Sequence, residues 1–359
     1  MNFDKNNNWL NQFQNNNPLI IAGPCSAETE EQVLAIAHQL KNSKVSIFRA
    51  GIWKPRTRPG GFEGIGSIGL PWLMRAKQET GLPIAIEVAN AQHVELALLH
   101  DIDVLWIGAR TTVNPFAVQE IANALQGTDK IVLVKNPVNP DLSLWLGAVE
   151  RVLNANINNV GAIHRGFSTY EKSNYRNNPE WQIAIDFKNH FPDIPLICDP
   201  SHITGNRNKI AEVSQKALDL NYNGLIIETH ITPDEAWSDA AQQVTPEKLL
   251  EIIGNLIIRD TQCSKEDFQL SLQLLRNKID DYDEKILDIL SNRMKITDQI
   301  GALKRENNVA ILQNERWNEI LHKMIDLGKN KNLSEEFIIH FFKAIHQESI
   351  AHQEQIFKK

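Results

Sequence analysis

The stretch Leu19-Ile20-Ile21-Ala22-Gly23-Pro24-Cys25 opens with four apolar residues in unbroken succession and closes on Gly-Pro and a cysteine. A strand with one wet face alternates apolar and polar side chains, whereas an unbroken run marks a strand buried on both faces. The same signature recurs at 45–49, 83–88, 104–107, 130–135, 160–164, 195–198 and 224–228. Between most of these runs lie helical patterns, such as 30–41, 91–99 and 115–125. Eight strand–helix units in about 240 residues predict the α/β class and, within it, a closed (β/α)8 TIM barrel. An open, doubly wound sheet is the alternative. No GxGxxG follows the first strand, which counts against a dinucleotide fold.

Punctuation changes sharply further on. Every proline lies at or before Pro246, and after Gly254 the remaining glycines are Gly301 and Gly328. Proline costs about 3 kcal/mol inside a helix, so a proline-free stretch of this length reads as long helices. The sequence therefore predicts two domains: a barrel over 1–260, a linker at 261–266, and an all-α three-helix domain over 267–359. A length of 359 residues fits two cores better than one.

Composition excludes several classes of function. A net charge of -7 without a basic stripe argues against a nucleic-acid partner. No apolar run is long enough to cross a bilayer. Cys25, Cys198 and Cys263 stand far apart with no CxxC pair, a pattern suited to a reducing compartment. The Asn-rich start shows no signal-peptide succession, so a cytoplasmic location is expected.

In (β/α)8 barrels the chemistry sits at the C-terminal ends of the strands. Reading off those ends gives Cys25, then Arg49 and Lys54, Glu87, Arg110, Lys135, Arg165, Asp199 with His202, Glu228 with His230, and Asp239 in the loop beyond. Cys25, His202, Glu228 and Asp239 form a thiol, imidazole and carboxylate set suited to a divalent transition metal. Taken singly, Cys25 reads as a small buried residue and Asp239 as a helix cap; convergence on one rim is what favours ligation. Arg49, Lys54, Arg56, Arg110, Lys135 and Arg165 form a cationic set. A solvated face would explain any one of them, but charges beside buried strand ends need an anion to offset their desolvation. Several together imply a multiply charged substrate.

These residues lie in the motifs 22-AGPCS-26, 54-KPRT-57, 107-IGAR-110, 199-DPSH-202 and 228-ETH-230. In that order the chain resembles the 3-deoxy-D-arabino-heptulosonate 7-phosphate (DAHP) synthases, in their compact branch, over about residues 18–258. The resemblance implies condensation of phosphoenolpyruvate with erythrose 4-phosphate. It implies Cys25, His202, Glu228 and Asp239 as ligands of a divalent ion such as Mn2+. Arg49, Lys54, Arg110, Lys135 and Arg165 are implied for phosphoenolpyruvate, with Arg56 and Thr57 for erythrose 4-phosphate and Glu87 beside the substrates. Lys54, with Asp199 and His202 nearby, is the implied proton donor to the aldehyde oxygen. An octulosonate 8-phosphate synthase is the rival, and the 54-KPRT-57 segment argues against it. One departure from the pattern is 136-NPVNP-140 after Lys135.

In the helical half, apolar residues recur at helical spacing from Leu270 to Ile300, predicting a helix over about 267–305. At 1.5 Å per residue it runs to about 57 Å, too long to bury its stripe in one monomer, so dimerisation or higher homo-oligomerisation is expected. A second helix is predicted over 313–327 with Gly328 as its C-cap, and a third after Ser334. Arg276, Arg293 and Lys304 stand 17 and 11 residues apart, read as near-whole numbers of turns, which places the three on one face. With Arg316, Ser349 and Gln353 they resemble the all-helical chorismate mutases over about 266–357. That resemblance implies Arg276 (from a neighbouring subunit), Arg293 and Arg316 on the carboxylates of chorismate, with Ser349 beside them, and Lys304 and Gln353 as catalytic groups on the ether oxygen. Trp317 and Gln313 depart from the pattern, at positions where Glu and Asp are usual. A rival reading makes this half a chorismate or prephenate sensor that inhibits the barrel, and feedback regulation through it is expected in either case.

Overall fold

Parallel strands pair only when a crossover returns the chain to the same edge, and here the crossovers close a ring. The structure, a computed structural model, describes residues 8–13, 18–54, 60–170, 173–260 and 263–358. It divides into two compact units, Met1–Thr261 and Gln262–Lys359. In the first, β1 (Leu19–Gly23), β2 (Ile47–Arg49), β3 (Ile84–Val88), β4 (Val104–Ile107), β5 (Ile131–Lys135), β6 (Val160–His164), β7 (Leu196–Cys198) and β8 (Gly224–Glu228) form a closed parallel barrel in sequence order. β8 returns to β1 with Gly23 opposite Glu228. All eight apolar runs became strands, some a residue or two shorter than predicted.

The unbroken runs have a simple geometric cause. Leu19 and Ile21 point into the barrel with Ile47, Val104, Leu133 and Ile226. Ile20 and Ala22 point outward into the layer beneath the helices. Both faces are dry, so both faces are apolar. The short 3-10 helix Asn8–Gln12 closes the barrel at the N-terminal ends of the strands, where Trp9 donates its indole N–H to the Val160 carbonyl at 3.1 Å. Nothing in the Asn-rich start announced that plug.

His164, at the C-terminal end of β6, is fully buried between an acceptor and a hydroxyl. The Pro179 carbonyl, 2.6 Å from Nε2, can only accept, so the proton sits on Nε2 and Nδ1 accepts from the Tyr222 hydroxyl at 2.9 Å. Burial pushes the His164 pKa down to about 4. Below about pH 6.5 an unfolded imidazole takes up a proton that the folded one refuses, so stability is lost as pH falls from there toward 4. Between pH 7 and pH 5 this site is expected to contribute a loss of about 2 kcal/mol. Urea unfolding of the wild type and His164→Gln at both pH values checks it; equal pH dependence in the two proteins would contradict the assignment.

The second unit holds three helices, Glu266–Glu306, Asn314–Lys329 and Glu335–Lys358. The first packs on the third through Met294, Thr297 and Gly301 against Ile345, Ser349 and Gln353. Gly301 allows close approach, since a Cβ there would lie 3.1 Å from Gln353 Cγ. Ser334 caps the third helix by accepting from the Phe337 N–H at 3.2 Å. Gly328 is not the C-cap predicted for the second helix, which continues through it to Lys329. Its missing side chain makes room for Ile338 instead, whose Cγ1 would stand 2.5 Å from an added Cβ. Among the described residues, no helix is long and apolar enough to cross a membrane.

Candidate active sites

At the barrel mouth local backbone rules aim the side chains. In 199-DPSH-202, Asp199 caps a short helix by accepting from the His202 N–H at 3.1 Å, and Pro200 fills its first position. Ser201 accepts the Glu228 N–H at 3.0 Å, which ties the β7 loop to the end of β8. Gly23 (φ +150°) lets the Arg49 carbonyl pass where a Cβ would stand 2.1 Å away. Asp239 is held in the left-handed region (φ 49°), a conformation Asp tolerates better than most residues. Its side chain caps nothing, contrary to the plainer reading of its position.

The result is a dense ionic network. Arg49 Nη1 stands 3.2 Å from Glu228 Oε1, and Lys135 Nζ donates to Asp199 Oδ2 at 2.9 Å. His202 Nδ1 lies 2.8 Å from the same Asp199 oxygen, though off the line of a good hydrogen bond. Lys54 Nζ lies between Cys25 Sγ, Ser238 Oγ at 3.2 Å and Asp239 Oδ2 at 3.6 Å. Burial alone would raise Asp199, but His202, Lys135 and Arg49 outweigh it and hold that carboxyl well below its usual range. Glu228 is lowered in the same way by His202, Arg49 and Lys54. Burial pushes the Cys25 thiol up to about 12, and Arg165 down to about 10. A depressed guanidinium marks a desolvated cation short of negative charge.

The four predicted metal ligands converge as two pairs. Cys25 Sγ is 3.3 Å from Asp239 Oδ2, and His202 Nε2 is 3.7 Å from Glu228 Oε1. Among the described residues, no three His, Cys, Asp or Glu side chains stand in a ready-made chelating arrangement. The donor chemistry nonetheless fits a divalent transition ion. Glu228 Oε1 is moreover buried and faces Arg49 at 3.2 Å without an aligned hydrogen bond, which leaves its lone pairs open to a bound ion. Arg110 is exposed on the short helix after β4, while Glu87 accepts from Trp106 Nε1 at 3.0 Å and lies over Gly108. Arg56 and Thr57 fall outside the described residues.

Sequence reasoning missed three contributors. Trp106 forms a floor on which Arg49 and Lys135 both rest, 4.8 and 5.6 Å from its ring centre. As one apolar member of a strand it carried no signal. Arg176 and Gln242 reach the carboxylates from loops far apart in sequence, which no local pattern announces.

The helical unit carries a cavity of about 600 Å³ lined by Arg293, Lys304, Arg316, Ser349, Gln353 and Trp317, among others. That volume suits a small organic ligand. Arg293 Nη1 donates to Ser349 Oγ at 2.5 Å and Lys304 Nζ to the Ile311 carbonyl at 2.6 Å. Among the described residues, neither cation has a carboxylate within ion-pair distance. Arg316 pairs with Glu319 at 3.1 Å. The buried Gln353 Oε1 has no hydrogen-bond partner. Gln313 and Trp317 both line the wall, Trp317 edge-on to His346. Arg276 is not among the lining residues and does not share the face of Arg293 and Lys304. Seventeen residues make about 4.7 turns, not a whole number, so Arg276 is rotated away and about 25 Å along the axis.

Fold and mouth together define a (β/α)8-barrel enzyme with a cationic active-site rim, joined to a helical unit with its own cationic cavity. The chain belongs to the DAHP synthetase I family, whose model matches residues 8–262; a model of chorismate mutase type II matches residues 275–354. The phospho-2-dehydro-3-deoxyheptonate aldolase of Thermotoga maritima is 31% identical over 237 residues, covering 66% of this chain and 68% of that protein. The crystal structure of that DAHP synthase superposes with a TM-score of 0.60 at 28% identity, over 67% of this chain and 68% of the other. The bifunctional chorismate mutase/prephenate dehydratase of Buchnera aphidicola is 40% identical over 89 residues, 25% of this chain and 23% of its own length. The 2-dehydro-3-deoxyphosphooctonate aldolase of Syntrophotalea carbinolica is 27% identical, over 69% of this chain and 93% of that protein. The chain is thus a bifunctional enzyme of aromatic biosynthesis, with DAHP synthase and chorismate mutase domains.

Proposed function

We propose that the barrel condenses phosphoenolpyruvate with erythrose 4-phosphate and that the helical unit rearranges chorismate to prephenate. For the barrel, the reading is carried by one observation: a thiol, an imidazole and two carboxylates meet a ring of cations on a single rim. Cys25, His202, Glu228 and Asp239 hold a divalent ion such as Mn2+. When bound, that ion supplies Lewis acidity toward a carbonyl oxygen. Arg49, Lys54, Arg110, Lys135 and Arg165 bind the phosphate and carboxylate of phosphoenolpyruvate, with Glu87 beside them and Trp106 as the floor beneath Arg49 and Lys135. Arg56 and Thr57 take the phosphate end of the aldehyde. Two anions repel each other, and this cationic ring holds them at reacting distance. The methylene carbon of phosphoenolpyruvate attacks the aldehyde carbon, water adds to the neighbouring carbon, and cleavage of its bond to the phosphate oxygen expels phosphate. Lys54 delivers a proton to the former aldehyde oxygen, with Asp199 and His202 beside it.

In the helical unit, Arg293 and Arg316 bind carboxylates of chorismate with Ser349 beside them, and Lys304 with Gln353 stabilises the ether oxygen as its bond to carbon breaks. Arg293 and Lys304, which have no carboxylate within ion-pair distance among the described residues, support this placement, as does the position of Gln353 in the cavity lining. Arg276 reaches the cavity of a second copy. The long helix supports dimerisation because Leu270, Leu287 and Ile289 along it are each about two-thirds exposed. We propose as well functional domains over 1–260 and 267–359 joined by a linker at 261–266, feedback by prephenate or chorismate through the helical domain, and a cytoplasmic location.

The decisive experiment assays the purified chain with phosphoenolpyruvate and either erythrose 4-phosphate or arabinose 5-phosphate, with chelator and metal add-back, and separately with chorismate. Phosphate release with the four-carbon sugar, lost on chelation, together with chelator-resistant prephenate formation is the expected result. Preference for arabinose 5-phosphate would overturn the barrel reading.

A further inference from the structure

Two carboxylates aimed at one ion raise a question of denticity. Each has two oxygens, and whether one or both reach the ion decides its coordination number. Here a hydrogen-bonded pair outside the predicted ligand set engages the second oxygen of each. The Gln242 side chain, buried in the loop behind Asp239, donates from Nε2 to Glu228 Oε2 at 2.6 Å. Its Oε1 accepts from Arg176 Nη1 at 2.7 Å. The other N–H of Arg176 Nη1 goes to Asp239 Oδ1 at 2.9 Å. The opposite oxygens, Glu228 Oε1 and Asp239 Oδ2, are the ones turned toward His202 and Cys25. Arg176 crosses Gly205 to reach this position, where an added Cβ would stand 2.5 Å from its own.

We infer that Gln242 and Arg176 are positioning residues that hold Glu228 and Asp239 as single-oxygen donors and so select a small transition-metal ion over Ca2+. This rests on the reading that Cys25, His202, Glu228 and Asp239 hold a divalent ion. The chemistry is general. Ca2+ takes six to eight oxygens and often binds carboxylates through both, whereas a thiolate and imidazole set with single-oxygen carboxylates suits four- or five-coordinate transition ions. Partners that orient ligands from outside the coordination shell typically contribute 10- to 100-fold to metal affinity. A salt-bridged half-exposed arginine and a buried amide forming one chain constitute such a partner.

The test is direct binding of Mn2+ and of Ca2+ to the full-length apoprotein, by calorimetry and by the electron paramagnetic resonance of free Mn2+. Gln242→Met keeps side-chain length while removing donor and acceptor. Arg176→Leu acts from a half-exposed position, so it decides the matter alone if the buried substitution does not fold. Each is expected to weaken Mn2+ binding about 10- to 100-fold, with Ca2+ binding unchanged or strengthened by release of the second oxygens. The double variant should be little worse than either single one, because both act through one hydrogen-bonded chain. Mn2+ affinity equal to wild type in either variant, or equal proportional weakening of Mn2+ and Ca2+, would overturn the inference and leave the ion site standing. A wild type that binds Mn2+ no better than His202→Ala would remove the site itself, and this inference with it.

Discussion

Lys304→Ala is expected to lower prephenate formation by two to three orders of magnitude while leaving phosphate release from phosphoenolpyruvate unchanged. Lys304 lines the helical cavity and donates to the Ile311 carbonyl at 2.6 Å, with no carboxylate within ion-pair distance among the described residues, so its charge is available to a ligand. Charge develops on the ether oxygen only as the bond breaks, so a cation placed there stabilises the transition state more than the bound ground state. Removing one preorganised donor of that kind costs about 10²–10³ in rate. The loss should fall on kcat more than on KM, since Arg293 and Arg316 still hold the carboxylates. Monitoring chorismate disappearance in ultraviolet light against a coupled phosphate assay separates the two activities. Equal loss of both would mean that the substitution disturbs folding, or that the two sites are not independent.

The reciprocal substitution reaches the barrel. His202→Ala should abolish condensation, and divalent-ion binding with it, while prephenate formation stays at the wild-type level. The imidazole touches Asp199 through Nδ1 and faces Glu228 through Nε2, so its loss leaves Glu228 Oε1 with Arg49 alone. Asp199 keeps its ion pair with Lys135, which is why the fold is expected to survive. Cys25→Ala should behave in the same way from the opposite pair. Reading Mn2+ binding alongside activity distinguishes a lost ligand from a misplaced substrate. Condensation at more than a few per cent of wild type in His202→Ala would remove that residue from the ligand set.

How much of this was legible beforehand differs between the units. Eight apolar runs announced eight strands because burial on both faces leaves no place for a polar residue. The polar residues just beyond each run announced the rim, since closing the barrel brings all eight C-terminal ends to one face. In the helical unit, Arg293 and Lys304 shared a face because eleven residues make close to three turns. Arg276 did not, because spacing must be tested against 3.6 residues per turn, and 17 fails that test. Gly328 misled for a related reason: a glycine near a helix end suggests a cap, but here it serves the packing of Ile338.

The order of apolar and polar residues along the chain therefore determined the barrel, its active rim and the helical partner, since local periodicity reports which side of an element is dry. Only the tertiary structure decided the pairings across the mouth. Trp106 beneath two cations, Gln242 against Glu228, and Arg176 against Asp239 join residues from separate loops and strands. Such contacts depend on register and closure of the whole ring, and the free energy of a charge among other buried charges is set by distances that exist only once the ring has closed.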